Sequence, residues 1–120
     1  MAVIEKATAD NLITSNAHPI TGQTVVVASG EGELKRGSVL MRKSNGKYAL
    51  AGDSSGTKFG TAEVILAADV DATSADAVAE VYNSGEFNAN ELIVTEGYTM
   101  DEEDLATLKN AGVYVVASVN

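Results

Sequence analysis

The 120-residue chain carries 17 Asp+Glu against eight Lys+Arg, a net charge of −9, with 45% hydrophobic residues, one His, no Cys and no Trp. This length suits a single domain with its own core. The composition excludes a disulfide scaffold, a thiolate nucleophile, Cys-ligated metal and a multi-His metal site, and the acidic balance argues against a nucleic-acid partner, whose phosphates need clustered Lys and Arg.

Residues 1–21 read as an extended arm. Small apolar groups (Val3-Ile4, Leu12-Ile13, Ile20) alternate with Thr, Ser, Asn, Asp and Ala, and no helical stripe forms. The only proline, Pro19, biases His18 towards extended backbone. The N-terminus has no basic segment followed by a long apolar run, so a soluble protein made in the cytoplasm is expected. No apolar run approaches the ~20 residues of a membrane span.

Residues 22–120 read as one β-rich domain. Strands are expected at Gln23–Ala28, Gly37–Arg42, Lys47–Ala51, Thr61–Ala67, Ala77–Tyr82 and Glu91–Thr95, with a closing strand at Val113–Val119. Asn45-Gly46 is a strong hairpin signal between the second and third. Gly30–Glu33 and Asp69–Asp76 read as turns, and Ser84-Gly85 as a turn leading into Glu86–Asn88. One helix is expected near 100–110. Thr99 would be its N-cap and Glu102 would close a capping box, with acids in the first turn, Lys109 in the last and Gly112 as stop. Leu105 and Leu108 would face the core. The fold class is mainly β with one short α-helix (α+β).

Charge is uneven along the chain. Residues 1–60 hold seven basic and five acidic residues, a net of +2, whereas residues 61–120 hold Lys109 against 12 acids, a net of −11. Such a split can mark two faces with different partners.

Catalytic chemistry is poorly supplied. A Ser-His-Asp relay would have to use His18, placed in the arm. There is no Gly-x-Ser-x-Gly elbow and no phosphate-binding Gly-x4-Gly-Lys loop. Asp69, Asp71, Thr73 and Glu80 fall at positions one, three, five and twelve of a calcium loop, but Ser74 stands where glycine is required. An acidic β-rich ligand- or calcium-binding module is therefore the alternative reading. Otherwise neither cofactor nor metal is expected. Tyr48, Tyr82, Tyr98 and Tyr114 lie on or beside expected elements and suit half-buried core or interface positions.

Residues 34–120 resemble the lambda-type head decoration proteins of tailed bacteriophages. The resemblance is carried by Asn45-Gly46-Lys47-Tyr48 before a Gly/Asp/Ser loop, Gly60–Leu66, Tyr82–Phe87 (Tyr-x-Ser-Gly-x-Phe), an acidic helix and a last strand opening at Ala111-Gly112-Val113. Gly46, Gly60, Tyr82, Gly85 and Phe87 are the family-motif residues. The resemblance implies a small β-clip-like decoration domain that forms a homotrimer. It further implies binding to the major capsid protein at three-fold sites on the outer surface of the expanded capsid, stabilising the virion against internal DNA pressure. In that reading the arm lies on the shell, Val3, Ile4, Leu12, Ile13 and Ile20 are the contacts, and the basic half lies nearer the shell than the acidic half. The role is structural, not enzymatic, with no nucleic-acid or membrane partner.

Overall fold

A computed structural model describes residues 12–15, 20–52 and 61–116. Among the described residues nine strands and one helix follow in chain order: β1 Ile13–Ser15, β2 Thr21–Val27, β3 Gly32–Leu34, β4 Val39–Arg42, β5 Tyr48–Leu50, β6 Thr61–Leu66, β7 Val70–Ala72, β8 Ala77–Asn88, α1 Glu102–Ala111 and β9 Val113–Val116. A single 3-10 turn, Ala89–Glu91, follows β8. The mainly β architecture with one short helix is the expected one.

Five strands close a ring in the order β2-β8-β6-β4-β5. Four of its joints are antiparallel ladders. The fifth, between β2 and β5, is parallel and rests on one register pair, Val27 with Tyr48, where Ala28 N donates to Tyr48 O at 2.8 Å. The hairpin joining β4 to β5 confirms the Asn-Gly signal. Gly46 N donates to Lys43 O (2.9 Å), Lys43 N donates to Lys47 O (2.7 Å), and Gly46 takes the left-handed conformation (φ 86°) that a glycine adopts freely.

The apolar runs of β4 and β6 follow from a core on both faces. Leu40, Val64, Leu66, Ala79 and Val81 point with Val27 and Tyr48 into the ring. Val39, Met41, Ile65 and Tyr82 point outward into a second cluster, covered by Leu12, Phe87, Tyr98, Leu108 and Val113. Alternate residues of one strand thus serve different cores, and neither parity is left for water. A register shift opposite Leu40/Met41 lets Ala62 and Val64, two residues apart, face opposite cores.

Several elements differ from the sequence reading. Gly30–Glu33 and Asp69–Asp76 are not only turns: β3 and β7 form a two-stranded ribbon that brings Leu34 and Ala72 to the inner core. Glu91–Thr95 is not a strand; it holds the end of the 3-10 turn and one bridge, Ile93 to Ser38. Ser84-Gly85 is not a turn, because β8 runs unbroken for 12 residues. The helix is capped two residues later than expected, by Asp101 with Asp104 rather than by Thr99 with Glu102. Tyr98 is drawn into the core and Met100 packs on it, so the chain cannot turn helical at Thr99. Asp104 and Leu108 consequently form the buried face, and Leu105, expected inside, is 39% exposed.

The arm boundary also moves. Leu12 is buried (1% exposed), β1 pairs with β8, and β2 begins at Thr21. Replacing Leu12 with Ala should therefore cost about 2–5 kcal/mol, as for other large-to-small core changes. Urea unfolding of Leu12→Ala against the parent measures it; an unchanged midpoint would mean that Leu12 is not part of the core.

Candidate functional site

The family-motif residues in β8 are joined by one irregularity. Opposite the adjacent pair Thr21-Gly22, β8 presents Ser84 and Tyr82, so Asn83 is an extra residue in the ladder. Such a bulge reverses the facing of everything beyond it. Tyr82 and Phe87, five residues apart, would otherwise point to opposite sides. Here both enter the outer core, with ring centroids 5.5 Å apart and planes at 44°. Gly85 (φ 139°) lies under the Phe87 ring: a Cβ there would stand 3.2 Å from Phe87 Cζ and 3.4 Å from Ile20 Cγ1. The polar atoms of the bulge are satisfied across the ladder. Thr21 N donates to Ser84 Oγ (3.1 Å), Thr21 Oγ1 donates to Asn83 Oδ1, and Asn83 Nδ2 donates to Gln23 Oε1 (3.1 Å). Arg36 donates to Ala67 O (3.0 Å) and to the Tyr82 hydroxyl, pinning the other end of the ring.

Beyond the bulge, β8 is flanked by β1 on one side and β9 on the other. Asn88 N donates to Leu12 O (2.7 Å), and Asn88 registers with Val116. Leu12 and Val116 thus lie on either side of one residue, at the same pole. Helix α1 turns at Gly112, which sits left-handed (φ 106°), and β9 returns beside it; Leu105 and Ala106 line one shallow groove with Val115. The helix start therefore lies towards the same pole.

The helix start is anchored from below. The buried Asp104 carboxylate accepts from the Tyr98 hydroxyl and from Asp101 N, while Asp104 N donates to Asp101 Oδ1 (2.9 Å). The Tyr98 ring rests on Gly52, where a Cβ would stand 2.0 Å from Tyr98 Cγ. Thr95 holds the same strand end through Thr95 N to Ala51 O (3.0 Å) and Thr95 Oγ1 to Gly52 O (2.9 Å).

The opposite pole carries the basic hairpin. Val27 pairs with both Ala77 and Tyr48, so the 43–47 turn stands at the start of β8. Lys47 pairs with Asp76 (2.6 Å), whose carboxyl is held below its ordinary value by Lys47 and by the Ser29 N–H. Arg42 pairs with Glu63 (3.2 Å), and Glu63 accepts from the Tyr48 hydroxyl (2.8 Å). Burial, reinforced by this carboxylate, pushes the Tyr48 phenol from 10.0 up to about 12. The two halves of the sequence interleave through β2 and β8, and Lys47–Asp76 and Arg42–Glu63 each join a basic residue of the first half to an acidic residue of the second.

The site residues read from the sequence are placed as follows. Tyr82, Gly85 and Phe87 come together in the outer core, and Gly46 stands apart in the hairpin. Leu12 is core, leaving it no surface to offer a partner; Ile13 and Ile20 are partly buried against that core. Val3, Ile4 and Gly60 lie outside the described residues, as do His18 and Pro19. Asn88 and Gly52 were not singled out from sequence, and Asp104 was read only as one of the acids of the helix's first turn. Only the Asp-x-x-Asp spacing of Asp101 and Asp104 could have signalled the true cap.

The calcium-loop positions have other duties. Asp69 accepts from Arg36 N (2.8 Å) and faces Lys35 at 3.7 Å. Asp71 accepts from Thr73 N (3.0 Å) and from its hydroxyl, contacts that lower its pKa. Among the described residues no three His, Cys, Asp or Glu side chains gather where they could hold a metal. The groove of about 290 Å³ beside Leu105, Lys109 and Tyr114 is open, and its volume falls at the small end for ligand sites. Among the described residues no helix is long and apolar enough to cross a membrane.

The described residues form a small barrel whose Asp76, Glu63, Asp69, Asp71, Asp101 and Asp104 carboxylates are engaged by its own turns, pairs and cap. The family model for bacteriophage lambda head decoration protein D matches residues 1–114, and the chain belongs to this family of phage capsid components. No curated protein matches it.

Two outcomes test this geometry. Gly52→Ala forces a clash and a strained φ (76°) together, and should cost about 2–5 kcal/mol in thermal or urea unfolding. Between pH 10.0 and about 12 the unfolded chain sheds the Tyr48 proton while the folded one keeps it, so stability falls as pH rises through that window. Denaturation midpoints across the window should drop less steeply in Tyr48→Phe.

Proposed function

We propose that the protein is a trimeric cement protein, bound to the major capsid protein at three-fold sites outside the expanded capsid. The family match, which runs from residue 1 across the whole barrel, carries this reading. Residues 1–11, with Val3 and Ile4, are the segment left to reach the shell once Leu12 has entered the core. An extended arm of this composition suits addition to the edge of a capsid sheet, where main-chain hydrogen bonds supply affinity and the apolar side chains supply fit. The pole of Leu12, Asn88 and Val116 then faces the shell, and the basic hairpin faces outward. This reverses the orientation suggested by the charge of the two sequence halves.

Three arms on one trimer bind multivalently, so modest affinity per arm becomes firm retention. A ligand selective for the expanded lattice stabilises that lattice by mass action. A three-fold assembly also needs two different, complementary surfaces on each subunit.

Removal of residues 1–11, stopping short of Leu12, should leave a folded trimer by sedimentation and unfolding that no longer pellets with expanded capsids. Full occupancy by the truncated protein would overturn the arm's role. A monomeric parent would overturn the trimer.

A further inference from the structure

The Asn45-Gly46 turn carries a chemical liability as well as a fold signal. Of the chain's asparagines, only Asn45 precedes a glycine. An asparagine before glycine is the most exposed to attack by its own backbone, because the next residue brings no side chain to block the approach. Asn45 and Gly46 are both exposed, and a Cβ on Gly46 would meet nothing within 4 Å. Asn83, which precedes Ser84, is different: it lies in β8 with its amide held by Gln23 and Thr21.

We infer that Asn45 is the chain's site of spontaneous deamidation, and that the folded hairpin restrains the reaction. In the reaction the Gly46 amide nitrogen bonds to Asn45 Cγ. The side-chain nitrogen leaves as ammonia, taking the proton from the Gly46 nitrogen. Water then opens the resulting succinimide at either carbonyl, giving Asp or isoaspartate. Both reacting groups are engaged in the folded turn: Gly46 N–H donates to Lys43 O (2.9 Å), and Asn45 Oδ1 accepts from Lys47 N (2.9 Å). Attack requires both bonds to open, so the rate follows the opening of the turn.

The product matters because of where the turn sits. Isoaspartate adds a backbone atom inside the hairpin, next to Tyr48, whose carbonyl makes the Ala28 bond at the sparse β2–β5 joint. Lys47, one residue away, also ties this turn to the start of β8 through Asp76. The lesion therefore loosens the ring at its weakest joint. A particle component that is not replaced after assembly gains from a turn that slows this chemistry.

The full chain is incubated at mildly alkaline pH, folded or in urea, and the tryptic peptide of residues 44–47 is followed by mass for conversion of amide to acid. The folded protein should convert roughly tenfold or more slowly than the unfolded one, as expected if the turn must open first. Equal rates, or conversion at another asparagine first, would overturn the assignment. The folded isoaspartate form is then purified and compared with Asn45→Asp, which has the charge but no added backbone atom. Hydrogen exchange at Ala28 N–H should quicken in the isoaspartate form alone. Unchanged Ala28 protection in that form would overturn the claim that the lesion loosens the ring.

Discussion

One strand, β8, meets a constraint that the rest of the structure obeys. It must take partners on both sides in each of its two halves, at Val81-Tyr82 and at Glu86-Phe87, while serving two cores. Its first half belongs to the ring, between β2 and β6, and its second half belongs to a small flanking sheet, between β1 and β9. The switch occurs at the extra residue, Asn83. Without that residue Phe87 would turn away from Tyr82, and the outer core would lose a fully buried ring. A buried aromatic contributes several kcal/mol through area and packing, so the bulge is a structural requirement rather than a defect.

The two ends of β8 also set the poles. At 3.3 Å per residue, 12 residues extend roughly 36 Å, comparable with the longest dimension of the molecule, 35 Å. One end therefore holds the basic hairpin and the other holds Leu12, Val116 and the helix start. Leu12 itself is held firmly, being both buried and hydrogen bonded to Asn88.

Much of the ring was legible in the sequence, and the reason is local. Gln23–Ala28, Gly37–Arg42 and Thr61–Ala67 are β-branched or apolar runs, and Asn45-Gly46 joins two strands with turn chemistry that needs no distant partner. What escaped was what depends on partners far along the chain. Gly32–Leu34 and Val70–Ala72 are too short and polar to read as strands until they face one another. Leu12 looked like an arm residue because its core neighbours, among them Phe87 and Leu108, lie 75 and 96 positions away. The helix cap was misplaced for the same reason. Thr99 satisfies the local pattern, yet Tyr98 is claimed by Gly52 and Asp104, and tertiary burial overrides a capping preference of about 1 kcal/mol. Gly85 was noticed as a motif residue and misread as a turn, since a glycine that makes room for a ring looks the same in sequence as one that bends a chain.

Charge is where sequence order misleads most. The +2 and −11 halves suggest two faces, but antiparallel pairing of β2 with β8 threads one half through the other. Pairing then consumes what excess remains: Lys47 with Asp76, Arg42 with Glu63 and Lys35 with Asp69 each join a residue of the first half to one of the second. Exposed pairs of this kind add little stability. Their effect is to neutralise Lys35, Arg42 and Lys47 locally. An acidic remainder keeps free copies apart in solution until a lattice gathers them.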